Sequence, residues 1–179
     1  DHLAEAGAIR QGLVDPGSVN FGESGPDGRP LDVDFVYRNG PRDVADLDKI
    51  RALGVVRLGL QGGEPLLHPD IVEVVRHARS LGFAPVSLAT NGFLLSRDQL
   101  GRLENAGLHS MNISVDRMTP IESTRKSLKT VLEKLDWFSG TRVRLAVSGV
   151  LTGDTLGEMR QVIHTCLDKG VADLRAGQK

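Results

Sequence analysis

The sequence of 179 residues contains a single cysteine, Cys166. One thiol excludes an intrachain disulfide, and it excludes a metal site built from several cysteines of this chain. Cys166 lies between Ile163 and Leu167 in a segment with helical apolar spacing. We therefore interpret it as a core residue.

Long apolar runs and an excess of one charge are absent as well. No run approaches the roughly 18 to 20 apolar residues of a transmembrane helix, and the N-terminal DHLAEAGAIRQG lacks the basic and then apolar order of a signal peptide. The formal net charge is -1, which does not favour a nucleic-acid or membrane surface. We expect one domain in the cytoplasm, with no nucleic-acid partner and no membrane partner. Because the sequence begins with Asp1, we also expect it not to be a complete gene product.

What the sequence does contain is a repeated unit of helix, glycine and β-rich run. Helices are expected over residues 43–53, 71–81, 96–106, 123–138 and 154–169, with Asp43, Ser96 and Asp154 as N-caps. The glycines that follow them are Gly54, Gly82, Gly107, Gly140 and Gly170. A strand follows each glycine, and another is expected at residues 31–37. This alternation predicts an α/β fold with a parallel sheet. Residues 1–30 are expected to be an irregular lead-in that could include a short helix.

Small and polar residues collect where three successive strands should end. They are Gly62, Gly63 and Glu64 in "QGGEPLLHPD", then Thr90 and Asn91, then Asn112, Ser114 and Asp116. Ligands of parallel α/β folds bind outside the carboxyl ends of the strands. The glycines permit a ligand to approach the backbone, and Glu64 could pair with an ammonium group. Ser114 and Asp116 lie two residues apart, so on a strand they share a face and could hold the hydroxyls of a ribose.

Each of these features also has a structural interpretation. Gly62-Gly63 could be a strand-exit turn, Asn91-Gly92 is a common turn dipeptide, and Asp116 could cap the next segment. Taken one at a time, the structural interpretation is the more common one. Their occurrence at three successive strand ends favours a ligand site.

At these residues the sequence resembles the radical S-adenosylmethionine superfamily, through "GGEPLLHPDI", "LATNGFLL" and "NISVDRMTP". The resemblance implies that residues 31–179 form a core domain folded as a partial (β/α)6 TIM-like barrel with parallel strands. It implies that Gly62, Gly63 and Glu64 hold the amino group of the methionyl moiety. By the same resemblance, Thr90 and Asn91 lie near the cofactor, and Ser114 and Asp116 contact its ribose or carboxylate.

The resemblance also implies an activity. Enzymes of this family are oxidoreductases in which S-adenosylmethionine, bound at a [4Fe-4S] cluster, yields a 5′-deoxyadenosyl radical that abstracts hydrogen from a substrate. The cofactors implied are therefore S-adenosylmethionine and the cluster. The partners implied are a small-molecule or peptide substrate and an electron-donor protein.

The family's Cys-x-x-x-Cys-x-x-Cys loop after the first strand has no counterpart here. Three thiolates hold such a cluster, whereas only "VYRNGPR" separates "LDVDF" in the first strand from the helix expected at residue 43. Either the protein is a cluster-free relative that binds a nucleoside-like ligand or a partner, or the cysteine loop belongs to the protein but is missing from the printed sequence. We favour the second interpretation.

A third function class, an ordinary barrel lyase or aldolase, would need a catalytic lysine or a metal-ligating triad at the strand ends. The sequence offers neither, because the lysines near the expected strands are all predicted on helices: Lys49, Lys126, Lys129, Lys134 and Lys169.

Overall fold

A computed structural model of the chain describes residues 18–21, 33–38, 45–52, 54–61, 63–122, 124–151, 153, 155–171 and 173–178. These residues form one seven-stranded sheet whose strands follow one another in chain order. The strands are β1 (Ser18–Phe21), β2 (Val33–Arg38), β3 (Arg57–Gln61), β4 (Val86–Thr90), β5 (Ser110–Ser114), β6 (Arg144–Leu151) and β7 (Asp173–Gln178). β1 is antiparallel to β2, and each later strand is parallel to the one before it.

Helices connect the parallel strands. They are α1 (Ala45–Ala52), α2 (Ile71–Ser80), α3 (Arg97–Ala106), α4 (Leu128–Leu135) and α5 (Leu156–Asp168). Short 3-10 turns occupy Pro65–Leu67, between β3 and α2, and Asp136–Phe138, directly after α4.

The strand order explains the architecture. In a doubly wound sheet the order reverses and helices cover both faces. Here every crossover steps to the next strand in the same direction, from β2 to β7. Because such crossovers share one hand, they place the helices on a single face, as in β/α barrels. The prediction of an α/β fold built as a partial (β/α)6 barrel with parallel strands is confirmed.

The two faces of the sheet differ in burial. Alternate residues of β3, β4 and β5 are buried. Apart from Thr90, the buried set is apolar and at most 1% exposed: Leu58, Leu60, Val86, Leu88, Met111 and Ile113. The helices contribute apolar residues to the same core, such as Val75 and Leu103. The intervening residues of these strands are smaller or polar, and they line a cavity on the other face.

Two parts of the chain depart from expectation. Within the lead-in of residues 1–30, β1 pairs with β2, a contact that local sequence does not encode; the short helix expected there lies outside the described residues. α4 begins at Leu128 rather than at residue 123. The preceding segment forms isolated bridges, Arg117 with Ser127 and Ile121 with Thr124, which keep it out of the helix. Lys126 therefore lies in a loop and not on a helix.

The helix ends follow the predicted chemistry where they are described. The Ser96 side chain accepts a hydrogen bond from the backbone N–H of Gln99, and this confirms it as an N-cap. Gly107 ends α3 in the left-handed region, at φ 96°, which glycine adopts without a Cβ penalty. Asp43 and Asp154, the other expected caps, lie outside the described residues.

Candidate functional site

Glu64 follows β3, and its side chain joins that strand end to the end of β4. Oε1 accepts hydrogen bonds from the backbone N–H of Leu66, at 3.1 Å, and from the hydroxyl of Thr90. Oε2 accepts one from the backbone N–H of Asn91 at 2.8 Å. The structure thus brings together three residues that the sequence predicted as site residues.

The same residues form the turn after β4. The Thr90 hydroxyl, in a residue 2% exposed, accepts a hydrogen bond from the Gly92 N–H at 2.9 Å. The Asn91 side-chain oxygen accepts one from the Phe93 N–H at 2.8 Å. The turn interpretation of Asn91-Gly92 is therefore correct as well, and the turn is what aims the Asn91 N–H at Glu64.

The Glu64 carboxylate keeps the capacity to bind a ligand. A carboxylate has about four acceptor positions, and the hydrogen bonds above use three of them. Gly63, just before Glu64, is exposed and has φ 47°, so no side chain blocks the backbone there. Gly62 lies outside the described residues. This geometry fits an ammonium group at the free acceptor position.

Ser114 and Asp116 lie at the same edge of the sheet, after the next strand. Ser114 is the last residue of β5 and pairs with Ser148 of β6. Ile113 and Val115 are buried whereas Ser114 and Asp116 are half-buried, so the alternation puts Ser114 and Asp116 on one face, as predicted. Asp116 does not cap α4.

The backbone of Asp116 is anchored on the loop that precedes α4. Its N–H donates to the Lys126 carbonyl at 2.8 Å. Farther along that loop, Glu158 of α5 accepts hydrogen bonds from the Arg117 side chain and from the Met118 N–H, at 2.8 and 3.1 Å. Arg117 is the first cause that holds the pKa of Glu158 below its usual range, followed by the Met118 N–H. The loop after β5 is therefore fixed to α5 beside the predicted ribose contacts.

A cavity of about 380 Å³ lies on the inner face of the sheet, next to this edge. Its polar lining comes from β3, β4, β5, β6 and β7: Arg57, Gln61, Ser87, Ser110, Asn112, Arg144, Asp173 and Arg175. Sequence analysis singled out Asn112 but missed the three arginines. The strand alternation could have found them, because residues two apart on a strand share a face. Arg57 lies two residues before Gly59, and Arg144 lies two residues before Ala146, and all four line the cavity.

The end of the cavity near the strand starts is positively charged. It has three guanidinium groups and one carboxylate. Arg175 donates two hydrogen bonds to Asp173, at 2.6 and 3.1 Å, and this contact, aided by the charge of Arg144, holds the pKa of Asp173 below its usual range. Guanidinium groups therefore outnumber carboxylates in the lining, which favours an anionic ligand.

Asn112 lies between the charged end of the cavity and the Glu64 edge. Its side-chain N–H donates to the Ser148 hydroxyl at 2.8 Å. Its Oδ1 is buried and has no hydrogen-bond partner in the part of the chain that the structure describes. Buried acceptors normally have a partner, so a ligand in the cavity could supply the donor.

The residues present do not fit an iron–sulfur cluster. Cys166, the single cysteine of the sequence, is fully buried in α5, and burial raises the pKa of its thiol to about 11. Its carbonyl accepts from Val171, just before β7, so Cys166 lies near the strand starts, away from Glu64. One such thiol cannot provide three thiolate ligands. Within the described residues no group of three or more His, Cys, Asp or Glu side chains could hold a metal ion.

No helix in the described parts of the chain is both long enough and apolar enough to cross a membrane.

Known proteins are similar to this chain in sequence or in fold. Residues 39–166 match the sequence model of the Radical SAM superfamily. "Probable GTP 3',8-cyclase" of Methanothermobacter thermautotrophicus is 32% identical over 141 residues, which cover 73% of this chain and 46% of that protein. The protein of the same name from Methanothermobacter marburgensis is 38% identical over 96 residues, which cover 53% of this chain and 31% of that protein. The chain thus spans less than half the length of these relatives.

Solved structures agree in fold. Streptococcus suis SuiB matches with a TM-score of 0.64 and 14% identity, covering 78% of this chain and 34% of that chain. Native anSMEcpe with bound AdoMet matches with a TM-score of 0.62 and 18% identity, covering 79% of this chain and 44% of that chain. Because the family match covers well over half of its residues, the chain belongs to the radical SAM superfamily, whose enzymes use S-adenosylmethionine and a [4Fe-4S] cluster.

Proposed function

We propose that this chain is the cofactor- and substrate-binding barrel of a radical SAM enzyme that acts on a nucleoside triphosphate. The observation that carries the proposal is the cavity that has three arginines near the strand starts and reaches Gln61, the last residue of β3 and three residues before Glu64. Relatives named for action on GTP support the same substrate class.

Glu64 would bind the ammonium of S-adenosylmethionine through its free acceptor position. Three hydrogen bonds from the protein already orient the carboxylate, so binding costs little further ordering. Ser114 and Asp116, on one face beyond β5, would hold the ribose hydroxyls, and Gly62 and Gly63 would leave room for the methionyl backbone. When bound with a cluster, S-adenosylmethionine supplies radical chemistry in this family.

The arginines would bind the phosphates. Arginine presents planar N–H donors that match phosphate oxygens. Residues Arg57–Gln61 span the cavity along β3, about 13 Å at ~3.3 Å per residue. A nucleoside triphosphate bound with its phosphates at the arginines would therefore extend its nucleoside toward the cofactor. Asn112 Oδ1 could accept a hydrogen bond from it.

The cluster needs thiolates that the printed sequence does not supply, so no step is derived through it. In this proposal the cluster ligands and the electron-donor protein come from outside the printed residues. The second candidate is a cluster-free barrel that binds nucleotides without redox chemistry. It is favoured by the burial of the single cysteine.

Nucleotide binding tests the proposal directly. We expect the chain to bind GTP at least about tenfold more tightly than guanosine in equilibrium dialysis, because the triphosphate adds charge-assisted hydrogen bonds. Arg144→Gln and Arg175→Gln should each remove most of this difference. Arg142→Gln is the matched control, because Arg142 lies outside the cavity lining and pairs with Glu104 on the surface. Equal affinity for GTP and guanosine would contradict the substrate assignment.

Iron and sulfide analysis separates the two candidates. The protein purified from its own cells and reconstituted anaerobically should hold about four irons and four sulfides if it is a radical SAM enzyme. Binding of S-adenosylmethionine and GTP without iron or sulfide would favour the cluster-free candidate.

A further inference from the structure

Lys134 lies in the last turn of α4, and its ammonium group contacts the loop between β4 and α3. Nζ donates hydrogen bonds to the carbonyl oxygens of Gly92 and Phe93, each at 2.8 Å, and of Leu95 at 3.0 Å. An ammonium group has three N–H donors and no acceptor. The three carbonyls therefore use all of its donors.

The same loop begins with the residues that hold Glu64. Asn91 donates its backbone N–H to the Glu64 carboxylate. Gly92 donates its N–H to the Thr90 hydroxyl, and that hydroxyl donates to Glu64. Gly92 is thus bonded to the Glu64 network through its N–H and to Lys134 through its carbonyl.

The surroundings hold Lys134 and the loop in contact. Gly92 has φ 75°, and a Cβ added there would lie 3.2 Å from side-chain atoms of Ile113 and of Val131, one turn before Lys134 on α4. The ring of Trp137 lies 5.7 Å from Nζ, within the range of a cation–π interaction. Burial lowers the pKa of the Lys134 ammonium, and the charge of Glu133 opposes that change. A solvated surface lysine would have none of these constraints.

We propose that Lys134 is a positioning residue for the S-adenosylmethionine site: its ammonium group holds residues 91–95 in the conformation that presents the Thr90 hydroxyl and the Asn91 N–H to Glu64. The effect on the cofactor rests on the proposed function, in which Glu64 binds the methionyl ammonium. The effect on Glu64 itself does not depend on that function.

Lys134→Met tests the proposal, because methionine fills similar space without donors and leaves the three carbonyls without their cation. Affinity for S-adenosylmethionine is measured at a temperature where circular dichroism shows each variant folded. We expect the affinity to fall about tenfold. Amide hydrogen exchange at Asn91 and Phe93 should accelerate, whereas exchange at Val147 in the middle of β6 should stay as in the wild type.

Two further variants sharpen the test. Lys134→Arg keeps the charge, but a planar guanidinium cannot direct three donors to one point, so it should recover only part of the affinity. Lys169→Met is the matched control. Lys169 forms a surface ion pair with Asp136, the residue that directly follows α4. This control should leave both the affinity and the exchange at Asn91 unchanged.

The outcomes separate this inference from the proposed function. A folded Lys134→Met protein with wild-type exchange at Asn91 overturns the inference, whatever it binds. Accelerated exchange at Asn91 with unchanged cofactor affinity overturns the positioning of the cofactor. If the wild type binds no S-adenosylmethionine, the proposed function fails, and exchange at Asn91 alone decides whether Lys134 holds the Glu64 network.

Discussion

The two ends of the inner face are built in opposite ways. At the carboxyl ends of β3 and β4, Glu64 is surrounded by protein donors, and its neighbour Thr90 is buried. At the strand starts, Arg144 and Arg175 are exposed, and the charged groups of the cavity lining include one carboxylate for three guanidiniums. Hydrogen bonds within the protein organise the first end, whereas the second end is lined by more guanidinium groups than carboxylates.

This difference indicates how each end would bind its ligand. A preorganised carboxylate loses little entropy on binding and discriminates by geometry. Exposed arginines bind through long-range attraction, which depends on salt and tolerates variation in ligand shape. Substitutions at the Glu64 edge should therefore change stability together with binding, while substitutions at the arginine end should change mainly binding and have only a small effect on stability.

The largest expected effect comes from Gly149→Ala, at the Glu64 edge of the sheet. A Cβ at Gly149 would clash with the Val115 carbonyl oxygen and would lie 2.6 Å from the Met159 terminal carbon. To relieve this clash, β6 would have to move away from Val115, which directly precedes Asp116. We expect the free energy of unfolding, measured by urea denaturation, to fall by about 3 kcal/mol.

Gly101→Ala is the control for that substitution. Gly101 lies inside α3, and an added Cβ there would meet nothing within 4 Å. Because alanine favours helix more than glycine does, we expect an increase of roughly 0.5 to 1 kcal/mol. Equal destabilisation by both substitutions would contradict a specific close approach at Gly149.

Glu64→Gln should have the next largest effect. The glutamine side chain has an NH2 donor in place of one carboxylate oxygen. In either orientation this donor would face a group that now donates to Glu64, such as the Asn91 N–H or the Thr90 hydroxyl. We expect a loss of about 2 kcal/mol in the free energy of unfolding, the range for hydrogen bonds to a charged group, together with weaker binding of S-adenosylmethionine. Glu73→Gln, in an exposed pair with Arg76, should leave the free energy of unfolding nearly unchanged, because solvent screens exposed ion pairs. Unchanged stability of Glu64→Gln would mean that the edge is not preorganised by this carboxylate.

The smallest effect is expected at the arginine end, from Asp173→Asn. Removing the carboxylate frees Arg175 and adds one positive charge to the cavity, so GTP affinity should rise by a few-fold at low salt and by less at high salt. Calorimetric titration at two salt concentrations measures both. A fall in affinity would show that Asp173 contacts the ligand or orients Arg175 for it.

Acid denaturation provides a second measurement on the same residue. The pKa of Asp173 is lowered in the folded state from 3.8 by Arg175. Its contribution to stability is therefore present above pH 3.8 and lost as the pH falls through the lower folded-state pKa. The wild type should lose more stability across that range than Asp173→Asn does.

The sequence predicted what depends on local pattern. Helical spacing and glycine punctuation gave the order of helices and parallel strands, and the strand-end rule found Glu64, Thr90 and Asn91. The rule did not predict that Thr90 and Asn91 donate hydrogen bonds to Glu64, because Glu64 and Thr90 are 26 residues apart in the chain. The roles of Ser114 and Asp116 remain predictions.

What the sequence missed depends on contacts between distant segments. β1 becomes a strand only by pairing with β2. Lys134 was placed correctly on a helix, yet its contacts lie about 40 residues away in the chain. The sequence analysis missed the three arginines because the rule that it used considers only residues at the carboxyl ends of strands. Arg57, Arg144 and Arg175 lie near the strand starts.

The burial of Cys166 has a practical consequence. A fully buried thiol with a pKa of about 11 reacts slowly with alkylating reagents at neutral pH, because the thiolate is the reactive species. A protein with the printed sequence is therefore close to a cysteine-free background for labelling. A cysteine introduced at Leu94, which is 48% exposed, would accept a spin label in the loop that Lys134 holds. The motion of that loop could then be followed by electron paramagnetic resonance without removing any native residue from the core.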